Sequence, residues 1–209
     1  MIKIVYLVIF VLILFRFYKE KKITFPLNPV IYKNFLNEEE ITRLLESCDN
    51  YKESTLINNG KIISSYRTSK THFIPKSNII YNIIKKKIKD IYNIDNNIEA
   101  LQLTKYQEGE FYGEHHDYFD PNNKSQKESL QKNGQRVKTI FVYIKEPIKG
   151  GETEFPLLKK KFIPKKGDAL VWTNCIKKGN KYILRKESLH SGNIVKKGVK
   201  IGLNIWILD

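Results

Sequence analysis

The chain has 209 residues, 41% hydrophobic and 12% aromatic, which leaves room for one core of ordinary size. With 11 glycines and 7 prolines and no stretch rich in either, it is neither a collagen-like repeat nor a long disordered segment. The net charge of +15 invites a nucleic-acid partner, yet 32 of the 37 basic residues are scattered lysines, point charges rather than phosphate-gripping forks, so no nucleic acid is expected.

Ile4 to Phe15 is an unbroken apolar run, with Lys3 before it and Arg16, Lys19, Lys21 and Lys22 after it. Twelve apolar residues are short for a span of about 20, but Phe17 and Tyr18 extend the run. Lys3 and Arg16 can reach back to the interface. Residues 1–18 are therefore expected to be a signal anchor of a single-pass membrane protein, with no small-x-small site to mark a cleaved leader. The heavier basic flank lies C-terminal and favours a cytosolic domain, so orientation stays open. A basic linker over 19–28 and one domain over 29–209 complete the division.

Asn37 has the signals of a helix start, with Glu40 three residues on as in a capping box and Leu36 placed to staple against Ile41. Ile41, Leu44, Leu45 and Cys48 follow at i, i+3, i+4, i+7 as a buried stripe. A second helix is predicted from Ser77 to Tyr92, with Ile80, Ile84, Ile88 and Ile91 inward and Lys85, Lys86, Lys87 and Lys89 on the wet face. Beyond Ile98 the pattern turns to short β-rich runs: Glu99–Tyr106, Glu114–Tyr118, Val137–Ile144, Gly151–Phe155, Asp168–Trp172, Leu189–Ile194 and Lys200–Ile207. Many short strands without intervening helices indicate an antiparallel barrel or jelly roll, braced by the two helices. Cys48 and Cys175 are expected as free, buried thiols, standing at no disulfide-framework spacing.

His115 and Asp117 are one residue apart in a predicted strand, so both point to one face while His116 points away. His190 is the remaining histidine of the β-rich region. Two histidines and one carboxylate can close a facial triad, which holds Fe(II) by one side and leaves three positions open. His72, before the second helix, reads as surface or structural.

The surroundings of this triad resemble the collagen-type prolyl 4-hydroxylases. The resemblance runs in order from about Phe35 to Ile207. It is carried by Tyr66-Arg67-Thr68-Ser69-Lys70 and by Leu101 to Tyr106 followed by Gly109, Tyr112, His115 and Asp117. Arg136-Val137-Lys138-Thr139 with Tyr143, Gly150 to Pro156, and Lys166 to Ala169 leading to Trp172 and Asn174 follow, and then His190, Gly198, Lys200, Asn204 and Trp206.

The resemblance implies an α+β protein with a double-stranded β-helix (jelly-roll) core behind N-terminal helices. It implies iron ligands at His115, Asp117 and His190. Lys200 would pair with the C5 carboxylate of 2-oxoglutarate, Tyr106 and Thr139 would add hydrogen bonds, and Tyr112 and Trp206 would line a groove for a proline-rich or collagen-like peptide. The implied cofactors are Fe(2+), 2-oxoglutarate and L-ascorbate, with no catalytic group beyond the metal centre. The expected reaction is peptidyl-proline 4-hydroxylation, giving succinate and CO2, with the domain luminal in the endoplasmic reticulum and no partner subunit. The polar segment Asp120–Gln135 resembles a mobile loop over the site. Two alternatives stay open: an oxygenase acting on another protein side chain, and a non-catalytic basic binding module.

Overall fold

The computed structural model describes residues 25–48, 50–54, 57–58, 61–62, 66–94 and 97–209. The expected anchor over 1–18, and the linker up to residue 24, lie outside them. Among the described residues no helix is long and apolar enough to cross a membrane. Residues 25–28, expected as the end of the linker, instead belong to the domain. Phe25 sets its ring 4.9 Å from Tyr92, and the Thr173 hydroxyl donates to the Pro26 carbonyl at 2.8 Å.

Helix α1 (Glu38–Glu46) starts where its capping box requires. Asn37 Oδ1 accepts from the Glu40 N–H at 2.9 Å, and the Asn37 N–H donates to Glu40 at 2.8 Å. Ile41 and Leu44 are buried, but Leu45 is 39% exposed and Cys48 half-buried, so the apolar stripe is narrower than its four-residue pattern. Neither cysteine forms a disulfide. Helix α2 (Ile79–Tyr92) opens on the Asn78 cap and ends at Asn93 in the left-handed conformation. Its Ile80, Ile84 and Ile88 are buried as expected, while Ile91 is half-buried. Lys87 departs from the wet face: its ammonium donates to the Phe35 carbonyl at 2.9 Å and pairs with Glu40, strapping α2 to α1. The segment expected as a loop over the site contains a helix, α3 (Lys124–Asn133), which buries none of its residues.

Among the described residues, beside three two-stranded ribbons, eleven strands form two antiparallel sheets. In chain order they are β1 (Val30–Tyr32), β2 (Lys52–Glu53), β3 (Lys70–Ile74), β4 (Leu101–Tyr106), β5 (Tyr112–His115) and β6 (Arg136–Lys145), then β7 (Thr153–Phe155), β8 (Lys160–Phe162), β9 (Ala169–Thr173), β10 (His190–Gly192) and β11 (Lys200–Leu208). The major sheet runs β1-β9-β6-β11-β4-β3-β2 and the minor sheet β8-β7-β10-β5. Period-two alternation sorts the major sheet into two faces. Leu101, Leu103, Ile140, Val142, Leu203 and Ile205 join the helices in the larger core. Their alternates, among them Gln102, Tyr106, Phe141, Asn204 and Trp206, line a cavity on the opposite face. There Phe155 of the minor sheet packs edge-on to Trp172 of the major, 5.3 Å between centroids. Two antiparallel sheets stacked face to face, with helices on the outer face of the major one, are the expected α+β jelly roll.

Candidate metal centre

The cavity between the sheets has a volume of about 390 Å³. His115 ends β5 and His190 begins β10, and the two are direct partners in the antiparallel register. Asp117 follows two residues after His115. One potential ligand atom from each of the three lies within 4.8 Å of the others. Asp117 Oδ1 is 3.9 Å from His115 Nε2, and Oδ2 is 3.9 Å from His190 Nε2.

Backbone carbonyls set the tautomers. His115 Nδ1 lies 2.8 Å from the Gly113 carbonyl, and His190 Nδ1 lies 2.9 Å from that of Ser188. A carbonyl only accepts, so each Nδ1 carries the proton and each Nε2 of the neutral ring presents its lone pair to the centre. Burial, and then the neighbouring His190, push the His115 imidazole down to about 3, leaving it neutral at ordinary pH. Burial raises the Asp117 carboxyl, but His190 and His115 opposite it outweigh that and hold it below the usual carboxylate range. Two imidazoles presenting Nε2 and one carboxylate are the donor set that a divalent first-row metal such as Fe(II) takes.

Other expected positions are occupied as follows. Lys200, at the start of β11, is 2% exposed and lines the same cavity. Its ammonium sits 5.0 to 5.5 Å from the ring centres of Tyr143, Phe141 and Tyr106. Burial pushes it down to about 7, with Glu152 pulling the other way. Tyr112 stacks on His115 at 3.6 Å between centroids, and Trp206 lies under the Arg136 guanidinium at 3.6 Å; both line the cavity.

Two expectations are corrected. Thr139 does not turn its hydroxyl to the cavity: it donates to Asp117 Oδ2 at 2.7 Å and accepts from Asn174 Nδ2 at 2.8 Å. The threonine in the cavity is Thr153, whose hydroxyl meets that of Tyr143 at 2.6 Å. His116 does not point away, because strand geometry ends at His115 and the alternation stops with it. It lines the cavity, with Nδ1 3.2 Å from the Ser188 hydroxyl.

Several cavity residues had no role assigned from sequence. Arg67, 8% exposed, gives hydrogen bonds to the hydroxyls of Ser69 and Thr71 and lies over the Tyr112 ring at 4.6 Å. Arg136 forms a bidentate pair with Glu99 at 2.6 and 2.9 Å. Ser125, Gln126 and Ser129 turn one polar side of α3 to the cavity. The scarcity of arginine in a lysine-rich chain was the available signal for the first two. Nothing in the local pattern marks the α3 residues.

The same arrangement has relatives. The model of the 2OG-Fe(II) oxygenase superfamily matches residues 101–208. A protein of Acanthamoeba polyphaga mimivirus, provisionally named a prolyl 4-hydroxylase, is 30% identical over 87% of this chain and 74% of its own length. Prolyl 4-hydroxylase 5 of Arabidopsis thaliana is 30% identical over 85% of this chain and 67% of its own. Other Arabidopsis relatives are longer, and the chain spans 52% and 61% of two of them. Among solved structures, the viral collagen prolyl hydroxylase of Paramecium bursaria Chlorella virus 1, in its 2OG complex, superposes with a TM-score of 0.66 at 30% identity. That superposition covers 86% of this chain and 94% of the viral one. With its histidines, carboxylate and buried lysine gathered between two jelly-roll sheets, this chain belongs to the prolyl 4-hydroxylase family of 2OG-Fe(II) oxygenases.

Proposed function

We propose that the chain hydroxylates peptidyl proline at C4, using Fe(II), O2 and 2-oxoglutarate. The observation that carries this reading is one cavity holding both the His115–Asp117–His190 cluster and the buried ammonium of Lys200. His115, Asp117 and His190 would hold the iron. Lys200, with the Tyr106 and Thr153 hydroxyls beside it in the cavity wall, would hold the 2-oxoglutarate. When bound, these groups supply the oxidising chemistry, splitting O2 between succinate (released with CO2) and the proline.

What the chain itself contributes is placement. A buried ammonium without a counter-charge is unfavourable, and a dicarboxylate reaching Lys200 relieves that, so the cosubstrate's far end is drawn inward. Among the described residues the carboxylate that acts on Lys200 is Glu152, and it does not offset the burial. The rings of Phe141 and Tyr143 keep water from the same spot. Tyr112 and Trp206 offer flat walls, which suit a proline-rich segment because proline has a flat ring and no N–H needing an acceptor. No side chain needs to act as general acid or base.

Ascorbate as iron reductant belongs to this reading through the family resemblance. Membrane anchoring rests on the apolar run Ile4–Phe15, and a luminal domain on the family resemblance alone. The test is incubation of the full chain with Fe(II), 2-oxoglutarate and a proline-rich peptide. A one-oxygen mass gain on proline, matched by succinate, is expected. Succinate with the proline untouched would redirect the activity to another side chain.

A further inference from the structure

We infer that Asn174 and Thr139 are positioning residues for the metal centre, forming a directed relay that fixes the carboxylate of Asp117. The inference rests on the oxygenase reading above and adds two residues to it. Asn174 Nδ2 lies 2.8 Å from Thr139 Oγ1, which lies 2.7 Å from Asp117 Oδ2.

The direction follows from donor and acceptor chemistry. An amide nitrogen only donates and a carboxylate only accepts, so the threonine hydroxyl must accept from Asn174 and give its one proton to Asp117. The hydroxyl therefore has no freedom to turn toward the cavity. Thr139 and Asn174 are both fully buried, so water cannot replace either bond.

The sheet does not need this relay. Thr139 pairs through its backbone with Trp172 and Trp206, and the Asn174 N–H donates to the Val137 carbonyl at 2.9 Å. An apolar side chain at 174 could fill the space, yet an asparagine stands there although its Oδ1 has no partner. Leaving a buried carbonyl oxygen unpaired is unfavourable, and such exceptions in a fold call for a reason. Aiming Nδ2 at Thr139 supplies one.

The consequence for the centre is specific. With Oδ2 engaged by Thr139, the carboxylate plane is set and Oδ1 keeps both lone pairs. Asp117 is thereby disposed to act through one oxygen rather than to chelate through two. A facial triad requires this, since a second carboxylate oxygen would fill a position needed by the cosubstrate or O2.

The experiment uses the full chain with Co(II) as probe, following the visible spectrum during equilibrium titration and the melting temperature of the metal-free protein. Thr139→Val is expected to weaken Co(II) binding about 10- to 100-fold, the usual size of such outer effects, and to alter the visible band. Thr139→Ser should restore both to near wild type, and Asn174→Ala should move both the same way by less. If Thr139→Val folds and binds Co(II) with wild-type affinity and spectrum, the inference fails while the oxygenase reading stands. Should that variant not fold, Asn174→Ala decides, and wild-type affinity and spectrum there overturn the inference. Wild-type chain that takes up neither Co(II) nor Fe(II) defeats the oxygenase reading itself, and this one with it.

Discussion

His115 and His190 face each other as register partners on β5 and β10, with their rings 4.2 Å apart between centroids. The metal centre is thus one cross-strand pair plus a carboxylate two residues downstream. Metal binding should stabilise the fold by mass action, about 2.7 kcal/mol at a metal concentration 100 times Kd. For a domain of this size, that corresponds to roughly 5–11 °C in melting temperature. Chelation should reverse the shift in wild type, and His190→Ala should show no metal-dependent shift. A His190→Ala protein that melts higher with Fe(II) by the wild-type margin would place the metal elsewhere.

Lys200 links pH to cosubstrate binding. Its folded value, pushed down to about 7, lies below the ordinary 10.5, so between those limits the unfolded chain holds a proton that the folded chain lacks. Stability of the ligand-free protein therefore rises with pH across that window. A dicarboxylate at the ammonium restores the charge, so binding at pH 8 should take up about 0.9 proton per site. Calorimetry in buffers of different ionisation enthalpy reads this directly. Lys200→Met should abolish the proton uptake and the 2-oxoglutarate affinity while making the ligand-free protein melt higher at neutral pH. Equal heats in all buffers would show that Lys200 is already charged.

Gly202 leaves room for one ring. A Cβ there would fall 2.1 Å from Cζ of Phe141, whose ring is 5.2 Å from the Lys200 ammonium. Gly202→Ala should cost about 1–3 kcal/mol by overpacking and weaken 2-oxoglutarate binding by displacing that ring. Denaturant unfolding and a binding titration check the two effects separately.

Arg136 lies between Glu99 and the Trp206 ring. Glu99→Ala releases the guanidinium and loosens one aromatic wall of the groove. Contacts of this kind are worth about 0.5–2 kcal/mol, so the peptide KM should rise roughly twofold to thirtyfold. The 2-oxoglutarate KM should not move, and a parallel rise in both would mean a general loss of structure.

Legibility varied with what a residue's neighbours in sequence reveal. The capped helix at Asn37 and the strands after Ile98 were readable, because capping and period two are local rules; Asp117 was found by its spacing from His115 although it lies past the end of β5. Helix α3 was not, since it lacks an apolar stripe: its cap at Asn123 and its stop at Gly134 are the whole signal. His116 was misjudged because alternation was extended one residue past the end of β5. The exchange of Thr139 for Thr153 has a different origin. Both sit in strands, and only the three-dimensional neighbours, Asp117 for one and Tyr143 for the other, distinguish their roles. Lys87, one of four clustered lysines of α2, became a strut for the same reason.

Strand β11 lies between β6 and β4 and brings Lys200 and Trp206 with it. A growing polypeptide cannot close the major sheet until residues 200–208 have been made, however well everything earlier has folded. A product cut short before Lys200 would leave β6 and β4 as two long raw edges, open to pairing with other chains. Premature stops in this stretch should therefore yield insoluble protein, not a feebly active enzyme.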